Sequence, residues 1–168
     1  MVRAPFVYEV TLGERIRHLV SPLTPDEVFE RGLCTEAVYG LLALGVAGLD
    51  GMPPDHFEEN PVFVRFLHET IGDDVFGVPA VRAQAAEIGD GWLYILDART
   101  PDPAGTVPNE DIIGAVRVQK QQPMPLSYRA NAHHRLYTSA GFFQLPEELE
   151  MALLKRLRAL AEAPELGS

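Results

Sequence analysis

Apolar positions near the start of the chain alternate with others. Phe6-Val-Tyr-Glu-Val10 predicts a strand with Phe6, Tyr8 and Val10 on one face. After a loop, Thr24-Pro-Asp-Glu27 has the form of a helix start. Thr24 caps, Pro25 takes the first helical position and Glu27 completes a capping box. Val28, Phe29 and Leu33 give this helix an apolar side, and Gly32 ends it. Thr35 and Glu36 then open a second, densely apolar helix through Leu41, Leu42, Leu44 and Val46, followed by a turn over Leu49 to Pro54. Asn60 and Pro61 start a third helix. Val62, Phe63, Phe66, Leu67 and Ile71 recur along it at helical spacing, and Gly72 stops it. Pro79 to Ile88 is a fourth helix, closed by Gly89.

Trp92-Leu-Tyr-Ile-Leu96 is the clearest strand in the chain. A proline-rich loop from Ala98 to Pro108 separates it from a strand over Ile112 to Val118, broken at Gly114. Residues 119–127 predict an exposed loop, and Leu136 to Thr138 and Phe142-Phe143 two short strands. Pro146 opens a last helix striped by Leu149, Leu153, Leu157 and Leu160. The periodic patterns predict burial of Phe6, Tyr8, Phe63, Phe66, Leu67, Trp92, Tyr94, Leu153 and Leu157. The order of strand, helices, strands and helix predicts an α+β fold, a small, mostly antiparallel sheet with flanking helices. The 168 residues suit one domain over 1–163, with a flexible tail at 164–168.

Composition changes this picture little: 46% hydrophobic and 23% charged residues are usual for a packed globular chain. The longest apolar stretch, Val38 to Leu49, is interrupted by Gly40, Gly45 and Gly48 and is shorter than the roughly 20 residues a membrane helix needs. No secretory leader is visible, so a cytoplasmic location is expected; export without a cleaved leader would leave no mark. The single cysteine, Cys34, excludes an internal disulfide and a cysteine metal cluster. It lies near a helix start, which lowers a thiol pKa, but a buried, inert thiol is the commoner case. His56, His68, His133 and His134 lack metal-ligand spacing, so no metal site is expected. Neither a phosphate-binding glycine pattern nor a Gly-x-Ser-x-Gly elbow is present.

Charge adds more. At a net −10 and pI near 4.9 the surface repels phosphate backbones, which argues against general nucleic-acid binding. Yet no acid occurs from Ile112 to Pro146, a stretch that carries Arg117, Lys120, Arg129 and Arg135. Within it lies the octet Tyr128-Arg-Ala-Asn-Ala-His-His-Arg135. Tyr128, Arg129, Asn131, His133, His134 and Arg135 are candidate ligand-binding residues. Arginine presents a planar fork to phosphate or carboxylate, and Asn and His add neutral donors. A solvated loop whose arginines pair with acids elsewhere is the plainer account. Asp97 and Arg99, directly after the strongest strand, are either functional strand-end residues or a turn-forming Asp with its Arg partner.

Three segments carry a family resemblance: Val7-Tyr-Glu with Ser21-Pro-Leu-Thr-Pro-Asp-Glu-Val-Phe-Glu-Arg-Gly-Leu33, then Gly91-Trp-Leu-Tyr-Ile95, then Val107-Pro-Asn-Glu-Asp-Ile-Ile-Gly-Ala-Val-Arg-Val118. In order, they resemble the first strand and following element, the "Gly-Tyr-Ile-Tyr" strand and the "Ile-Pro" strand of cholera- and pertussis-type ADP-ribosyltransferase toxins. The resemblance implies an ADP-ribosyltransferase-like fold and NAD as the ligand; the residues by themselves point to no cofactor. The family's NAD-binding Arg falls on Glu9, its Ser-Thr-Ser strand has no counterpart, and its catalytic Glu falls where this chain has Thr100-Pro-Asp-Pro-Ala-Gly. Asp97, or Asp102, stands nearest that place. The resemblance therefore implies a diverged domain that binds a nucleotide or another anionic small molecule without ordinary NAD transferase activity. The alternative is a non-enzymatic interaction protein, an inhibitor or immunity-type partner, whose acidic N-terminal half meets a basic protein surface.

Overall fold

A computed structural model describes residues 4–99 and 107–162 of the chain. Asp102 and the tail at 164–168 lie outside the described residues. The fold is α+β with antiparallel sheets and helices. The chain divides into two compact units, Met1–Phe66 with Leu154–Ser168, and Leu67–Leu153.

The first unit is built on a four-stranded antiparallel sheet in the order β1-β2-β3-β4. Strand β1 (Phe6–Leu12) turns at Gly13, φ 65°, into β2 (Arg15–Ser21), with Leu12 opposite Arg15. A two-residue hairpin loop needs such a left-handed position, which glycine adopts freely. Helix α1 (Pro25–Arg31) starts and stops where the sequence predicts. The Glu27 amide donates to Thr24 Oγ1 at 3.3 Å, and Gly32 closes the end at φ 78°. Its apolar side is packed only in part, however: Val28 and Leu33 are half-buried, no α1 residue is fully buried, and Phe29 is 92% exposed. A bond from Arg158 Nε to Glu27 Oε2 at 3.0 Å ties this helix down and holds the Glu27 carboxyl below its usual range.

The predicted apolar helix after Thr35 does not form. A 3-10 turn at Thr35–Ala37 leads into β3 (Gly40–Leu42), which pairs with β4 (Phe57–Glu59). The cause lies at Gly40. A side chain there would meet the Glu58 carbonyl and, at 2.6 Å, the Phe57 ring, so the missing Cβ lets β4 approach. A short apolar run does not by its period distinguish strand from helix. Fully buried Val20, Leu42 and Phe63 anchor the core of this unit, with the Tyr39 ring tilted against Phe63, centroids 4.5 Å apart.

Helix α2 (Pro61–Asp74) is capped by Asn60, whose Oδ1 accepts the Val62 amide at 3.1 Å. It runs through Gly72 rather than stopping there. Helix α3 (Pro79–Ile88) closes at Gly89, φ 80°, as predicted. In the second unit, β5 (Gly91–Leu96) pairs with β6 (Ile112–Gln119), and β6 with both β7 (Gln122–Pro123) and β8 (Arg129–Ala130). Strand β6 is continuous through Gly114, with a register shift in β5 between Ile95 and Leu96. Part of the predicted 119–127 loop is a hairpin, turned by Lys120 and Gln121 at φ 50° and 65°. Strands β9 (Tyr137–Thr138) and β10 (Gly141–Phe142) pair with each other where two short strands are predicted, the second one residue earlier than expected.

Helix α4 (Glu147–Glu162) buries Leu149, Leu153 and Leu157 but leaves Leu160 exposed. The predicted core holds at Phe63, Leu67, Leu153 and Leu157, whereas Phe6, Tyr8 and Phe66 are only half-buried. It is reversed in β5: Leu93 and Ile95 face the core, and Trp92 and Tyr94 face out. Two branched aliphatic side chains fill the interior there, each worth roughly 1.5–3 kcal/mol on burial.

Candidate functional site

Tyr128, the first residue of the octet, turns inward. Its hydroxyl is hydrogen-bonded to His68 Nδ1 at 2.8 Å, and the two rings stack at 6.0 Å. The Tyr128 ring fills the space left by two glycines. A Cβ at Gly114 would lie 2.6 Å from the ring and hydroxyl, and one at Gly72 would lie 3.4 Å from the ring. Burial lowers the His68 pKa to about 4, helped by the charge of His134, and burial raises that of the Tyr128 hydroxyl.

Asn131 is a loop staple. Its Nδ2 donates to the carbonyls of Asn109 and Ile112, both at 2.8 Å, and its Oδ1 accepts the His133 amide. His134 is buried and donates from Nε2 to Asp97 Oδ2 at 2.9 Å. Three of the six candidates therefore brace the fold. The other three, Arg129, His133 and Arg135, are exposed.

Asp97, the candidate catalytic residue, is 1% exposed. Oδ1 accepts the amides of Arg99 at 3.1 Å and Gln144 at 2.8 Å; Oδ2 faces His134 and lies 3.4 Å from Arg99 Nε. Arg99 Nε donates to Asp111 Oδ1 at 2.8 Å. Its Nη1 donates to the carbonyls of Leu136 and Gly141, and its Nη2 to those of Glu110 and Arg135. Every nitrogen of the guanidinium is engaged, so the buried ion cluster is fully bonded. This is the turn-forming Asp with its Arg partner. A carboxylate with both oxygens occupied inside the protein has no lone pair facing a substrate.

The exposed chemistry lies one layer out, on the outer face of β5, β6 and β8. Trp92 pairs across strands with Arg117, and Tyr94 with Ala115, which in turn faces Arg129. The Arg117 and Arg129 guanidiniums lie 5.7 and 5.6 Å from the centre of the Trp92 ring. Such cation–π contacts are worth about 0.5–1 kcal/mol each at an exposed site. They seat both cations beside the ring; Arg129 is exposed and Arg117 half-buried. Trp92 is 39% and Tyr94 57% exposed. Among the described residues neither arginine has a carboxylate partner.

Sequence reasoning found Arg129 but missed Arg117, Trp92 and Tyr94 as its neighbours. The signal was present in β5: aliphatic Leu93 and Ile95 share one parity, the aromatics the other. Cys34 is half-buried, and burial pushes its thiol pKa up, against the lowering that a helix start would give. No group of three His, Cys, Asp or Glu side chains among the described residues is arranged to hold a metal, and no helix among them is long and apolar enough to cross a membrane.

Comparison of the chain with protein-family models, with curated proteins and with solved structures returned no match. The toxin resemblance therefore stands on its own residues.

Proposed function

We propose that the protein is a binding module for an anionic, ring-bearing small molecule of the nucleotide type, held on the outer face of β5, β6 and β8. One observation carries this reading: Arg117 and Arg129 converge over Trp92 without a carboxylate partner among the described residues, in a chain of net charge −10. In an acidic protein, paired guanidiniums left open to solvent favour an external oxyanion. Beside them, Tyr94 and Arg129 flank Ala115 in one cross-strand row. Two strand spacings separate them, about 10 Å, and the floor between carries only a methyl group. A planar base fits on that floor against the Tyr94 ring, with its phosphates at the two arginines. Base–aromatic stacking contributes about 1–3 kcal/mol, and each charge-assisted phosphate bond about as much.

The toxin resemblance implies the same ligand class, a dinucleotide, and supports the reading to that extent. Transfer chemistry has no such support, because Glu9 replaces the first-strand Arg and Asp97 is sealed in its ion cluster.

Isothermal titration calorimetry with ADP, ADP-ribose, inorganic phosphate and adenosine tests the proposal. ADP and ADP-ribose should bind, phosphate and adenosine each more weakly, and Arg129→Gln should weaken ADP roughly tenfold. Absence of heat with all four would overturn it.

A further inference from the structure

The first unit carries an open apolar groove of about 410 Å³ on one face of its sheet. Register puts Leu19 beside Leu41, and Leu41 beside Glu58, in one row across β2, β3 and β4. Val10 on β1, with Leu33 and Val38 from the chain after α1, completes the apolar lining. Alternation explains why this face is open. Val20 and Leu42, the strand neighbours of Leu19 and Leu41, point the opposite way and are fully buried, whereas Val10, Leu19, Leu33, Val38 and Leu41 are all half-exposed. The core is thus satisfied from the other side, and the aliphatic face remains uncovered by the described residues.

Among the lining residues the charge has one sign; Arg17, paired with Val10 on the same face, donates from Nη2 to the Leu42 carbonyl at 3.1 Å. Glu58 is exposed at its β4 end and has no ion-pair partner among the described residues. The lining contains carboxylates and no Lys, Arg or His. The neighbouring amide is already committed, since Asn60 Nδ2 donates to the carbonyls of Thr35 and Val38. Apolar walls with few polar groups, in a volume of this order, are what small-molecule sites present. A ligand that covers the aliphatic floor and also neutralises Glu58 must be a chain with a positive end. From Leu19 to Glu58 is two strand spacings, roughly 10 Å, so chain and charge have to be separated by a comparable reach.

We propose that this groove binds a small amphipathic cation, an aliphatic chain ending in an ammonium group, with the chain on Leu19 and Leu41 and the charge at Glu58. The site is independent of the oxyanion face and takes a ligand of opposite charge.

Methyl-resolved NMR titration of the full chain with hexylamine, hexanol and hexanoate tests it. Hexylamine should give saturable shifts at Val10, Leu19, Val38 and Leu41. Hexanol should bind more weakly, and hexanoate more weakly still. Glu58→Gln should weaken hexylamine roughly threefold, as expected for losing one exposed ion pair. Glu14→Gln, on the hairpin turn away from the groove, should leave its binding unchanged. Equal binding by hexanol or hexanoate would overturn the proposal, as would an unaltered constant in Glu58→Gln or no saturable shift at these methyls. A lysine-bearing peptide that saturates the same methyls where hexylamine does not would assign the groove to a partner protein, and would equally overturn it.

Discussion

Leu126 sits at the third position of a tight turn with φ 64°, directly after Pro125. The Ser127 amide closes that turn on the Met124 carbonyl, and Ser127 Oγ accepts the Arg117 amide at 2.9 Å. The pattern is that of a type II turn, whose third position favours Gly or Asn. Leu126 is 97% exposed, so no packing offsets its left-handed backbone. Leu126→Asn should therefore raise stability by about 1 kcal/mol in urea unfolding; a drop would mean that the leucine makes contacts worth more than the strain. His68 acts on a different variable. Its pKa is near 4 in the folded protein and near 6.5 when unfolded. As pH falls through that window the unfolded chain takes up the proton first, so stability present above about pH 6.5 is lost on the way to pH 4. The shift corresponds to roughly 3 kcal/mol. His68→Gln should flatten this loss when urea midpoints are compared at pH 7 and pH 5, and an equally steep loss in the variant would assign it to other groups.

Helices were more legible than strands, because their ends carry local chemistry. Thr24 with Gly32, Asn60 with Pro61, and Pro79 with Gly89 mark starts and stops that hold without reference to the rest of the chain. Strands β2, β4, β7 and β8 escaped, since two to seven residues of mixed polarity acquire their meaning from a partner elsewhere in sequence. Gly40 and Gly114 illustrate the difference. As isolated letters they read as an interruption of an apolar stretch and as a strand break; in space each makes room for a neighbour, Phe57 and Tyr128 respectively. Gly114→Ala should cost about 1–3 kcal/mol by displacing the Tyr128 ring and the Arg129 carbonyl of β8, each 2.6 Å from an added Cβ, measurable as a lowered thermal midpoint. An unchanged midpoint would show that both the ring and β8 have room to move. The candidate site divided in the same way. The acid-free stretch pointed to Arg129; within the octet, Tyr128, Asn131 and His134 are bonded inside the fold, and the residues beside Arg129 at Trp92 lie on two other strands.

On the scale of the whole molecule, net charge and local charge disagree. In a protein at −10, Arg117 and Arg129 lie over the lone tryptophan without a carboxylate partner among the described residues. By sequence, the two positions that the toxin resemblance assigns to breaking NAD differ here: Glu9 stands in place of the Arg, and the catalytic Glu falls on Thr100-Pro-Asp-Pro-Ala-Gly. That reaction passes through a cationic ribosyl transition state, which needs a carboxylate close to the ribose and a cation on the diphosphate. Glu9 would repel the diphosphate, and both Asp97 oxygens are bonded internally. Incubation with labelled NAD should release no nicotinamide above the rate without protein. Release that stops in Asp97→Asn would show the buried cluster opening to act.

The most direct test of the oxyanion face uses the protein's own probe, because Trp92 is the chain's single tryptophan. Its fluorescence should change saturably as ADP is added, with the dissociation constant weakened roughly tenfold in Arg129→Gln and further in the Arg117→Gln/Arg129→Gln double variant. A fluorescence signal that stays flat with ADP, or that saturates identically in wild type and double variant, would contradict the account.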